Sequence, residues 1–161
     1  MTVVSSHQDI QALTLTFVAE FDASVERVWQ VWQDPRQLER WWGPPSWPAT
    51  FDAHDFVLGG RSRYYLSGPQ GEKARGWFQI TELAPPHRLG FDDGFADDDG
   101  EPLTTIDPTR TVVTIEATGT GARMTVVSRF TDLGHMEQIL AMGAEEGGRL
   151  ALGQIDNLVA A

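Results

Sequence analysis

The chain has 161 residues, 41% hydrophobic and 22% charged, with a formal net charge of −11 and no cysteine. That length suits one domain of about 150 residues, and the proportions exclude a disordered chain. The missing cysteine excludes a disulfide scaffold, a thiolate metal site and a Cys nucleophile, and 12 basic against 23 acidic residues leave no footprint for a nucleic-acid backbone.

The first residues, MTVVSSHQDIQ, lack a basic flank followed by an apolar stretch, and no run approaches 18 apolar residues; no membrane association and a cytoplasmic location are therefore expected. Residues 13–21 read LTLTFVAEF, the period-2 alternation of a strand with one buried face. The period then changes. Ser24 is a good N-cap, Glu26 sits in the first turn, and Val25, Val28, Trp29 and Trp32 fall at helical spacing. Asp34-Pro35 stops that helix and caps a second short one running to about Trp42, with Gly43-Pro44-Pro45 beyond it.

From 49 to 130 the pattern predicts a meander of six antiparallel strands near 49–58, 61–67, 74–83, 87–92, 110–118 and 122–130. Gly59-Gly60, Ser67-Gly68-Pro69, Ala84-Pro85-Pro86 and Gly119-Thr120-Gly121 supply turn chemistry between them. The acidic loop at 93–108 is expected to be a mobile, self-repelling connection. Tested against the EF-hand register with Gly100 in the sixth position, it lacks the first and twelfth ligands, so Ca²⁺ should bind no tighter than about millimolar. Residues 135–159 return to helical spacing, with Met136, Ile139, Leu140, Gly143, Gly147 and Leu150 on one broad face. The order is β-α-α-β6-α in one domain spanning 1–161.

Several chemistries leave no trace. No P-loop, dinucleotide fingerprint, H-E-x-x-H or G-x-S-x-G occurs. The four histidines, His7, His54, His87 and His135, show no metal-ligand spacing, and no metal or cofactor is expected. Trp41 and Trp42 are adjacent and point in different directions, so one can seal a core while the other faces a pocket. Glycines at 143, 147, 148 and 153 each cost about 0.8–1.0 kcal/mol against alanine in a helix interior. Such a stripe either lets a sheet approach closely or leaves room for a ligand. Close approach is expected at Gly147 and a pocket mouth at Gly143, so alanine should destabilise at the first and be tolerated at the second.

The strand leading into Ser24-Val25-Glu26-Arg27-Val28-Trp29, then Asp34-Pro35 through Leu38 to Trp41-Trp42-Gly43-Pro44, make a recognisable series. Gly59-Gly60, the Glu82-Leu83-Ala84-Pro85-Pro86-His87-Arg88-Leu89 corner, Met142-Gly143 and Glu146-Gly147 complete it. From about Thr14 to Leu158 the chain resembles the bacterial activator-of-Hsp90-ATPase-like domains of the START/Bet v 1-like superfamily. The resemblance implies an α+β helix-grip fold, in which a curved antiparallel sheet of about seven strands wraps a long C-terminal helix over an apolar cavity. It carries over no catalytic motif. Co-chaperones of that family have a further N-terminal domain, for which 161 residues leave no room.

The function these features predict is binding of a small apolar or amphipathic molecule between sheet and C-terminal helix. The expected lining residues are Trp41, Trp42, Tyr64, Trp77, Phe91, Met136, Leu140, Gly143 and Gly147. Tyr64 shares strand parity with Ser62 and Leu66, while Trp77 competes with Phe78 and Ile80 for the inward face. A cyclase- or dehydratase-type enzyme is the first alternative and would need His54, Asp55 or Glu82 turned inward. A protein-interaction module is the second, and a homodimer is left open.

Overall fold

In the computed structural model, which describes residues 3–160, the period-2 and period-3.6 segments become sheet and helices in nearly the predicted order. The strands are β1 (Val3–Asp9), β2 (Thr14–Phe21), β3 (Ala49–His54), β4 (Arg61–Ser67), β5 (Lys73–Ala84), β6 (Arg88–Phe95), β7 (Thr109–Ala117) and β8 (Ala122–Arg129). They form one eight-stranded sheet in the order β1-β2-β8-β7-β6-β5-β4-β3, with every neighbouring pair antiparallel. The inner face carries Leu15, Phe17, Phe78, Phe91, Val113, Ile115 and Met124, all buried in the core cluster.

The two helices between β2 and β3 start where their caps dictate. In α1 (Val25–Gln33) the Ser24 hydroxyl accepts from the Arg27 amide at 3.1 Å, and in α2 (Pro35–Leu38) the Asp34 carboxylate accepts from Arg36 at 2.9 Å. Val28, Val31 and Trp32 seal α1 onto the core. His54 ties the end of β3 to the end of α1. Its Nε2 lies 3.0 Å from the Trp32 carbonyl, which can only accept, so Nε2 carries the proton and Nδ1 accepts from the Ser62 hydroxyl at 2.7 Å.

Three departures from expectation matter for the site. The sheet has eight strands where about seven were expected, because residues 3–9 pair with β2 from Val3↔Glu20 to Asp9↔Thr14. This edge strand reads VVSSHQD and has no apolar alternation of its own; pairing, not patterning, makes it a strand. Second, β6 runs on to Phe95, so Asp93 belongs to the sheet, opposite Phe78 on β5 and Thr109 on β7. Only the remainder of the acidic segment is loop, and the Asp97 carboxylate organises it by accepting from the Asp99 and Glu101 amides at 2.9 and 3.0 Å.

Third, the C-terminal layer is three helices rather than one over 135–159. These are α3 (Leu133–Ala141), α4 (Ala144–Gly153) and α5 (Ile155–Val159). Gly143 breaks the first junction with φ +84°, a left-handed conformation that glycine adopts freely. The bend lays α4 on β1 and β2, where the Glu145 carboxylate accepts from Ser6 Oγ at 2.7 Å and Gln8 Nε2 at 2.6 Å. The Ser6 and Gln8 bonds hold the Glu145 carboxyl below its ordinary range.

The glycine expectations reverse accordingly. A Cβ on Gly147 meets nothing within 4 Å, so the sheet does not touch the helix there. The close approach is one residue on, at Gly148, whose Cβ would strike the Phe17 ring. Gly147→Ala should therefore stabilise the protein by up to about 1 kcal/mol through helix propensity. Gly143→Ala should cost about 1–2 kcal/mol through its left-handed backbone. Urea melts of the two variants that shift in the same direction would refute this assignment.

Candidate functional site

Between the inner face of the sheet and the helices lies a cavity of about 180 Å³. The sheet contributes Phe17, Phe91, Val126, Asp93, Thr111 and Ser128. The end of the small-helix layer contributes Trp32, Trp41 and Trp42, and α4 contributes Gly148, Ala151 and Leu152. Two smaller cavities adjoin it, of about 160 Å³ beside Leu15, Phe130, Ile139 and Ala144, and of about 90 Å³ beside Tyr64, Phe95 and Asp107. Asp93 lines all three.

The aromatic end is built around Trp42. Its ring meets Trp41 at 5.7 Å, Tyr64 at 5.6 Å, Phe78 at 5.4 Å and Phe91 at 6.1 Å between centroids. All four contacts are edge-on or tilted, and none is the face-to-face sandwich that aromatic quadrupoles disfavour. Trp41 is 2% exposed, with Nε1–H donated to the Val31 carbonyl at 2.9 Å, and it lines the cavity beside Trp42, so both rings face one space where adjacency alone predicted only one. Glycine makes room for the neighbouring wall: a Cβ at Gly76 would collide with the Tyr64 ring across the β4–β5 ladder.

The polar side of the cavity is small and one-signed. Thr111 and Ser128 are cross-strand partners whose hydroxyls lie 3.1 Å apart, so one donates to the other. Asp93 has no such arrangement: its Oδ1 is buried without a hydrogen-bond partner. Burial, and then the neighbouring Asp92 charge, push its carboxyl up to about 7. Burial, and then the Asp93 charge, hold the Tyr64 phenol above its ordinary range.

Of the residues singled out from sequence, Trp41, Trp42 and Phe91 lie together on the main cavity, and Tyr64 on the smallest. Trp77 lies on the other face of the sheet, beneath the Arg61 guanidinium at 5.5 Å and against Gly94. Strand parity decides this, because Phe78 and Ile80 take the inward positions of β5. Met136 is packed in the core. Leu140 and Gly143 edge a separate recess with Gln8, Glu145, Glu146 and Arg149, and Gly147 borders none of these spaces.

Sequence reasoning missed Asp93, Thr111, Ser128, Phe17 and the small residues Gly148 and Ala151. The signal for Asp93 was present, since Leu89, Phe91 and Asp93 continue one period-2 row. The adjoining run of acidic residues disguised it as loop. His54 is occupied at both ring nitrogens, Asp55 is exposed, and Glu82 is exposed and paired with Arg88 at 3.2 Å. None of the three lines the cavities.

Among the described residues no group of three or more His, Asp or Glu side chains could hold a metal ion, and no helix is long and apolar enough to cross a membrane. No curated protein matches the chain. The solution NMR structure of a protein from Arthrobacter aurescens is 51% identical over 98% of this chain and 92% of that one, with a TM-score of 0.94. The crystal structure of a protein from Mycobacterium smegmatis is 44% identical over 98% and 97% of the two chains, with a TM-score of 0.90. The AHSA1 protein of Silicibacter pomeroyi, 24% identical over 91% and 97%, shares the fold with a TM-score of 0.73. The family model described as Activator of Hsp90 ATPase homolog 1-like protein matches residues 22–160. With its helix-grip architecture and that match over most of its length, the chain belongs to the Activator of Hsp90 ATPase homolog 1-like family.

Proposed function

We propose that this protein binds a small apolar or amphipathic molecule in the cavity between the sheet and the C-terminal helices. The observation that carries the reading is the wall itself: Phe17, Trp32, Trp41, Trp42, Phe91 and Val126 surround about 180 Å³, with three polar side chains among them. Small-molecule sites have this composition, apolar and aromatic walls with a few polar groups that orient the ligand. The volume is below the roughly 300–1,000 Å³ of drug-sized sites, and an apolar space of about 150 Å³ suffices for a benzene ring. The main cavity therefore suits one ring with a short substituent reaching toward Asp93.

Titration with 2-phenylethanol, followed residue by residue by NMR, tests this. Saturable shifts are expected at Phe17, Phe91, Val126 and Leu152, with quenching of tryptophan fluorescence. Shifts that fail to saturate, or that gather around Trp77 on the opposite face, would overturn the reading.

A further inference from the structure

Resting on the cavity reading above, we infer that the ligand class is an apolar, ring-bearing amine whose protonated nitrogen pairs with the Asp93 carboxylate. No lysine, arginine or histidine lines any of the three cavities that meet at this side chain. The titratable groups around it are Tyr64 from β4, the adjoining Asp92 on β6, and Asp107 ahead of β7. Asp92 is held by Arg110 at 3.0 Å, and Asp107 accepts from the Thr131 hydroxyl at 2.9 Å. The helix residues facing the same spaces, Ile139, Ala144, Gly148, Ala151 and Leu152, carry no charge.

The protein thus leaves a buried carboxyl oxygen unmatched in the one place where a ligand would sit. An uncompensated buried carboxylate is costly, and a cation brought into contact offsets part of that cost. Once the carboxyl is ionised, an anion or an acceptor-only group would instead meet like charge or a lone pair. Trp32, Trp42 and Phe91 line the same main cavity as Asp93, and aromatic faces attract a desolvated cation further. The net charge of −11 draws cations toward the molecule before they enter. Carboxylate, ring wall and a volume of one-ring size describe an arylalkylamine.

Calorimetric titration at about pH 8 with 2-phenylethylamine and its neutral counterpart 2-phenylethanol tests the inference. The amine should bind about tenfold or more tightly than the alcohol, the range expected for a hydrogen bond to a charged partner. In Asp93→Asn the ratio of amine to alcohol affinity should fall to about twofold or less. Equal or weaker binding of the amine to the wild-type protein would overturn the inference and leave the cavity reading standing. A preference that survives in Asp93→Asn would assign the effect to the acidic surface and overturn it too. If neither compound binds, both readings fall. If the variant does not fold, the wild-type preference at raised salt decides: one lost in about 0.5 M NaCl belongs to the screened acidic surface and overturns the inference, and one that persists belongs to the cavity pair.

Discussion

Asp93→Asn is expected to stabilise the unliganded protein at alkaline pH and to do so progressively less as the pH falls. The native carboxyl titrates at about 7, against 3.8 for an ordinary aspartate. Between those values the folded protein keeps a proton that the unfolded chain releases, so the wild type loses stability as pH rises from about 4 to about 7 and levels off above. Asparagine has the same shape and no such titration. The advantage of the variant should grow by about 2–3 kcal/mol between pH 5 and pH 8.

His54 works in the opposite direction. Burial holds its imidazole below the ordinary value of 6.5, so acidification favours the unfolded chain. Both proteins contain it, and it drops out of the comparison. Urea melts of the pair at the two pH values measure the gap. A constant gap would mean that Asp93 is solvated in the folded protein, and the binding inference would lose its basis. Stabilisation by removal of a group is the signature of a side chain kept at the expense of stability, as binding sites commonly are.

Gly43→Ala is expected to have the largest effect of opposite sign, a loss of about 3 kcal/mol. A Cβ there would collide with the Trp47 carbonyl oxygen and lie 3.0 Å from Leu66 Cδ2. The collision is with backbone, which cannot rotate away, and forced backbone shifts of this kind cost about 1–3 kcal/mol or more. Nor is the segment free to move as a whole. The Gly43 carbonyl accepts from Gln154 Nε2 at 2.7 Å, and Trp41 two residues earlier is 2% exposed. For a chain of this size the loss corresponds to a fall in Tm of about 6–12 °C. Because Trp42 would be displaced with its neighbour, affinity for 2-phenylethanol should fall as well. A melting temperature unchanged by the substitution would show that the turn after the tryptophan pair is loosely held. Gly147→Ala, a chemically identical change, should move stability the other way, since open space replaces the backbone oxygen.

Local physics accounts for the elements that were legible in the residues alone. Alternation in residues 14–21, the Ser24 and Asp34 side chains as caps, and Pro35 at the first helical position each act within a few residues of themselves. They specify their elements wherever the rest of the chain lies. The meander from Ala49 to Arg129 was readable for the same reason, with turn residues bounding each apolar alternation. Tyr64 could be assigned to the inner side from strand parity, whereas helix geometry left open which of Trp41 and Trp42 faces it.

What only the tertiary structure decided are features whose cause lies far away in sequence. β1 is a strand because the edge of β2 offers it hydrogen bonds, not because its polar residues prefer an extended chain. The C-terminal helix bends at Gly143 so that Glu145 can reach Ser6 and Gln8, more than 130 residues earlier. Gly148 rather than Gly147 meets the sheet because that bend sets the rotation of α4. Asp93 is the clearest case. An aspartate within an acidic run reads as solvated, and it becomes a half-buried group with one carboxyl oxygen sealed against a cavity only when Phe78 and Thr109 pair on either side of it. Periodicity places a residue on a face; long-range pairing determines what that face meets, and so what the residue can bind.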